Sequence, residues 1–84
     1  MKKIIEHFIK ESYEVTCITE EFENYVQVTE KLACGKLKWF PSNIEERKAE
    51  RKNEGYSFVE DNTIRIYELP GLLYGIILIF RKPK

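Results

Sequence analysis

The residues Leu72-Leu73-Tyr74-Gly75-Ile76-Ile77-Leu78-Ile79-Phe80 carry no charge and are apolar at odd and even positions alike. A strand presents alternate side chains to opposite faces, so a strand of this composition has no face to offer to water. It has to sit centrally in a sheet, covered on each side or paired with another subunit. Extended back to Leu69, the run is still interrupted by Pro70, Gly71 and Gly75. It falls short of the ~20 residues that a membrane-spanning helix needs. The element therefore predicts a sheet scaffold and argues against a membrane protein.

The rest of the sheet is expected from the same end of the chain. Residues 56–60 lead through the turn dipeptide Asp61-Asn62 into Thr63-Ile64-Arg65-Ile66-Tyr67, and Pro70-Gly71 suits the centre of a type II turn. These segments predict a C-terminal three-stranded meander. Ahead of them, Tyr13-Glu14-Val15-Thr16-Cys17 alternates with period two, and Lys36-Leu37-Lys38-Trp39-Phe40 reads as a strand stopped by Pro41.

Two segments read as amphipathic helices. Over residues 2–11, Ile4, Ile5, Phe8 and Ile9 share an arc of about 140° while Lys3, Glu6, His7 and Lys10 point away. Thr19 can cap a second helix, with Glu20 and Glu21 in its first turn and Phe22, Tyr25, Val26, Thr29, Leu32 and Ala33 at helical spacing before Gly35. A strand through Tyr25-Val26-Gln27-Val28-Thr29 competes for this stretch. The helix is preferred because a strand leaves residues 24–31 without an obvious turn. The expected fold is α+β: a small, mostly antiparallel sheet with these two helices packed on it, as one domain over residues 1–84.

A third helix is expected over residues 43–54, capped by Ser42 or Asn43 and ended by residues 53–55. Its charges separate by side, with Arg47, Lys48, Arg51 and Lys52 on one half and Glu45, Glu46, Glu50 and Glu54 on the other. Ile44 and Ala49 are its only apolar residues, so it reads as a highly charged, exposed helix. The whole chain is bipolar in the same sense. Residues 11–30 hold six carboxylates and no Lys or Arg, whereas residues 31–52 hold seven cations against three acids. Overall the 14 basic and 14 acidic residues cancel, which argues against general coating of nucleic acid.

The chemistry-bearing residues are few. His7, the only histidine, falls on the polar side of its expected helix without a nucleophile or an orienting group beside it. Cys17 and Cys34 stand apart from each other and from any second ligand, so they read as small buried hydrophobes. They make neither a disulfide framework nor a metal site. The Gly35-Lys36 pair lacks the remaining residues of a phosphate loop, because Leu37 follows. Glu20, Glu21 and Glu23 are accounted for by a helix dipole. No catalytic residue, metal or cofactor is expected. Charged residues break up the N-terminal segment, so it does not read as a signal peptide, and the expectation is a cytoplasmic protein with reduced thiols.

Binding is the remaining function class. Lys36, Lys38, Trp39 and Phe40, followed by Arg47, Lys48, Arg51 and Lys52, form the candidate binding set, since aromatics beside cations can stack bases and hold phosphates. The acidic run 11–30 offers a second charged surface to a basic partner. The ending Ile64-Arg65-Ile66-Tyr67 with Ile77-Leu78-Ile79-Phe80-Arg81-Lys82 loosely resembles the sheet of small bacterial ribonuclease toxins. That resemblance covers barely a quarter of the chain, and this neutral sequence lacks their surplus of basic residues, so no family follows. The reading is a small non-enzymatic inhibitor or regulator, of the kind phages and mobile elements encode, acting by direct contact with a larger protein. The alternative is a small nucleic-acid-binding protein that uses the basic helix side and the nearby aromatics.

Overall fold

The computed structural model describes residues 2–59, 66–71 and 73–84. Its strands are β1 (Lys3–Ile9), β2 (Glu14–Glu21), β3 (Tyr25–Cys34), β4 (Ser57–Phe58), β5 (Tyr67–Leu69) and β6 (Leu73–Pro83), with α1 (Phe40–Asn53) between β3 and β4. All pairings are antiparallel and the order is β1-β2-β3-β6-β4, with β5 also on β6. β6 is thus central, as its composition requires. The expected strand 63–67 and the turn Asp61-Asn62 lie largely outside the described residues. Only Ile66 and Tyr67 of that strand are described, and Tyr67 opens β5. The expected three-stranded meander is corrected, since among the described residues β4 and β5 each pair with β6 and not with one another.

The two amphipathic helices expected at residues 2–11 and 19–34 are corrected to strands. Both stretches are rich in β-branched residues (Ile4, Ile5, Ile9; Val26, Val28, Thr29), which lose rotamer freedom in a helix and pack well on a pleated surface. Two-residue loops decide the matter. Glu11-Ser12 joins β1 to β2, where Lys10 N donates to Tyr13 O at 2.7 Å. Glu23-Asn24 joins β2 to β3, where Phe22 N donates to Tyr25 O at 2.9 Å and the two rings stack at 4.9 Å. Asn24 supplies the turn that a strand over 25–34 needed.

Residues 36–40 are likewise not a strand. Leu37–Trp39 form a 3₁₀ turn that runs into α1. Pro41 lies in the first turn of that helix, where its missing N–H has no partner to lose, so it starts a helix and does not stop a strand. No side chain caps this end. Ser42 Oγ donates to Trp39 O at 3.1 Å, and Asn43 is buried. At the other end Gly55 takes a positive φ of 92°, as the expected stop at residues 53–55 requires. Gly71 does the same at 84° in the β5–β6 turn.

The register fixes which side chains share a face. Val15, Leu32 and Ile76 align across β2, β3 and β6, as do Cys17, Glu30 and Leu78, and Val28, Phe80 and Phe58 align across β3, β6 and β4. This face holds the core, with Val15, Val28, Leu32, Ile76, Leu78 and Phe80 all buried. α1 lies over it, placing Phe40, Asn43 and Arg47 in the interior. The exposed charged helix is therefore corrected too: α1 is the lid of the core. β6 is also not covered on both sides, because the opposite face of the sheet carries no helix among the described residues.

Candidate interaction surface

The inward stripe of α1 runs through Phe40, Asn43, Ile44, Arg47 and Arg51, the i, i+3, i+4, i+7 spacing of any packed helix. Its distinction is chemical, since two of these positions are guanidiniums. They meet Glu30, which is fully buried in the middle of β3. Arg47 Nε donates to Glu30 Oε1 at 2.6 Å and Arg47 Nη2 to Oε2 at 3.0 Å, a bidentate pair. Arg51 Nε also donates to Oε2. Arg51 Nη2 reaches Cys17 Sγ at 3.2 Å, and Arg51 Nη1 reaches Glu54 at 3.1 Å. Arg47 further donates to Glu50, which accepts from Lys10 Nζ at 3.1 Å.

This network holds both guanidiniums and the Glu50 carboxylate in their ionised forms. Burial alone would push the Arg47 guanidinium down, but the hydrogen bonds and charge of Glu30 reverse that and hold it above its ordinary value. Arg51 is raised in the same way. Burial pushes the Glu50 carboxyl up, and Lys10 and Arg47 overcome this to hold it below its ordinary value. The Cys17 thiol is pushed up, chiefly by burial and then by the Glu30 charge. That is the opposite of what a reactive thiolate needs.

The structure divides the predicted binding set. Phe40 and Arg47 are core, only 2 % exposed each, and Arg51 is held against Glu30. Lys48 lies over the Phe58 ring at 4.4 Å and within 3.8 Å of Glu45. Lys36 sits over Trp39 at 5.1 Å, so this cation and this aromatic are brought together. Lys38 and Lys52 point to solvent. His7 Nδ1 shares a hydrogen bond with Thr16 Oγ1 at 2.9 Å on the sheet's outer face. A cleft of about 610 Å³ between the β1–β2 loop and α1 is lined by Lys10, Glu11, Ser12, Tyr13, Trp39 and Glu46. Tyr13 in its wall is pushed up to about 12, first by burial and then by Glu46.

The residues that sequence reasoning did not assemble lie on the uncovered face of the sheet. The register aligns Ile5, Ile18, Thr29 and Ile79 in one row across β1, β2, β3 and β6. The next row on that face is His7, Thr16, Lys31 and Ile77, and the one beyond it includes Ile9, Glu14 and Ala33. Ile5 is 62 % exposed and Ile77 43 % exposed. Lys3, Glu20, Gln27 and Arg81 form a polar rim beside the isoleucine row. The signal was present in the two-faced apolar character of residues 72–80, but the other strands contribute single isoleucines that show no pattern until the register joins them.

Among the described residues, no helix is long and apolar enough to cross a membrane. No protein-family model, curated protein or solved structure matches this chain.

Proposed function

We propose that this protein is a non-enzymatic inhibitor or regulator, of the kind mobile elements encode, that acts by binding a larger protein through the uncovered face of its sheet. The observation that supports this is the Ile5-Ile18-Thr29-Ile79 row with Ile77 beside it, left open on one side of an otherwise packed domain. Apolar surface of this kind, rimmed by charges, is what protein partners bury. Nucleic acid is bound on a sheet by aromatic rings that stack bases, whereas these rows carry isoleucines. The natural setting is the cytoplasm, where the two free, buried thiols stay reduced.

The alternative reading keeps one favourable observation, the Lys36–Trp39 pair near exposed Lys38. It loses Arg47 and Arg51, whose charge is engaged by Glu30. One experiment separates the two. Tagged protein is used to capture partners from its native host, with and without nuclease, and Ile77→Asp is compared with Lys38→Glu. Retention after nuclease together with release by Ile77→Asp supports the sheet face. Capture that vanishes with nuclease and with Lys38→Glu overturns it in favour of nucleic acid.

A further inference from the structure

The two long edges of this sheet are built differently. On one side β4 and β5 are short, spanning Ser57–Phe58 and Tyr67–Leu69. Short edge strands are a common way to keep a sheet from pairing with another. On the other side β1 runs unbroken from Lys3 to Ile9, every residue in register with β2, without proline or bulge. Among the described residues nothing pairs with its outer edge.

The direction of its backbone groups can be read from the ladder ends. Lys10 N donates to Tyr13 O, and Glu21 N donates to Lys2 O at 3.2 Å. Even-numbered residues of β1 therefore exchange hydrogen bonds with β2. Odd-numbered Lys3, Ile5, His7 and Ile9 aim their N–H and C=O groups outward, since antiparallel bonding alternates along a strand. The side chains of these same residues lie on the uncovered face of the sheet. The edge is a free template for a further antiparallel strand.

We infer that β1 pairs with β1 of a second copy, antiparallel about a two-fold axis at His7, to give one continuous sheet across two chains. Charge and pleat favour this register over an axis one residue earlier, at Glu6. A two-fold axis normal to the sheet can pass only through a single residue position, because facing residues must share a face. An axis at Glu6 sets two carboxylates directly opposite one another, which is destabilising. An axis at His7 sets Ile5 against the second copy's Ile9 on the uncovered face. It also brings each Lys3 to the end of the second copy's β1, where Glu11 opens the β1–β2 loop. The axis sets the two His7 rings directly opposite one another. The groups around each one are Thr16 opposite it on β2, Glu14 diagonal to it, and Lys31 further along its row.

Sedimentation equilibrium of the full chain tests the pairing. The expected result is a species of twice the 10.0 kDa monomer mass. His7→Pro removes an N–H that makes no bond to β2, so it is expected to leave the circular dichroism of the fold intact and abolish the dimer. Lys3→Glu and Glu11→Lys alone should each raise the dimer dissociation constant about tenfold, and the double swap should restore it. A native protein that stays monomeric at millimolar concentration overturns the proposal. So does a dimer that survives His7→Pro in a folded chain, or a charge swap that fails to restore association, which would exclude this register. The binding partner of the sheet face is tested at Ile77, away from this edge, so failure of one proposal leaves the other standing.

Discussion

Replacing Glu30 with Gln keeps the shape of the side chain and removes the charge that two arginines share. Arg47 is 2 % exposed and would keep only Glu50, at the edge of the network, as a charged partner. Removing one partner from a buried ion pair costs about 3–5 kcal/mol where the remaining charge is left uncompensated, and the half-exposed Glu50 offsets part of that here. Arg51, with 13 % of its side chain exposed, adds less, since water reaches it. Against a total stability of about 5–15 kcal/mol for a domain, this loss populates the unfolded state. With a urea dependence of about 1–3 kcal/mol per molar, the denaturation midpoint should fall by roughly 1–5 M. The companion variant replaces all three residues, Glu30→Leu with Arg47→Met and Arg51→Met. Apolar replacement of a whole buried ion network is often neutral or stabilising by about 1–4 kcal/mol. The released Glu50 and Glu54 are 41 % and 55 % exposed and stay hydrated. The triple variant should therefore be more stable than Glu30→Gln alone. A midpoint shift below about 0.5 M for Glu30→Gln would refute the claim that this carboxylate anchors the helix. A triple variant weaker than the single one would refute the desolvation argument.

Ile76→Ala or Leu78→Ala, each at a fully packed site on β6, should cost about 2–5 kcal/mol by urea denaturation. Stability should decline between pH 10.0, the ordinary tyrosine value, and about 12, where Tyr13 is held. Its raised folded value means that the unfolded chain gives up this proton first, so the contribution is intact below 10.0 and lost as pH rises through about 12. Tyr13→Phe, compared by thermal melts across this range, should remove that part of the decline. At neutral pH it should cost nothing, because the buried hydroxyl has no hydrogen-bond partner among the described residues. At Gly75 an added Cβ would lie 2.6 Å from the Tyr67 ring, so Gly75→Ala should cost about 1–3 kcal/mol. In a Tyr67→Ser background most of that cost should disappear, and a double-mutant cycle reads the difference.

The parts of the fold legible in the sequence were those carried by local chemistry. Residues 73–80 read as a central strand, Pro70-Gly71 as a turn, and residues 53–55 as the end of a helix. The misread parts share a cause. Ile4, Ile5, Phe8 and Ile9 satisfy a helical arc, yet as an edge strand the same residues need no strict alternation, because neither face of β1 is fully closed. In β3 the inward positions Val28, Glu30 and Leu32 alternate correctly, but a charge among them looks like the outward face. Likewise Arg47 and Arg51 sit at inward helical spacing after Phe40, Asn43 and Ile44, but cations there suggest solvent. Each anomaly explains the other, and neither is intelligible alone. The partner for a buried Glu lies in a different element, and only the tertiary structure pairs them. The candidate surface was hidden for a similar reason, since its isoleucines come from three strands whose register no single segment encodes.

The placement of β6 also sets an order of events in time. β1, β2 and β3 are joined by two-residue loops, and hairpins of that kind form on the order of microseconds. β6 pairs with β3 along its whole length, from Tyr25↔Pro83 to Cys34↔Tyr74, with α1, β4 and β5 all intervening. That closure carries the larger entropy cost and should govern the folding rate. Until it happens, Glu30 lies in the outermost strand of a three-stranded meander, still hydrated and free to meet either arginine. Pulse-labelled hydrogen exchange should therefore show protection in β2 and β3 before β6. The ion network should close last, when the arriving strand drives water from around the carboxylate.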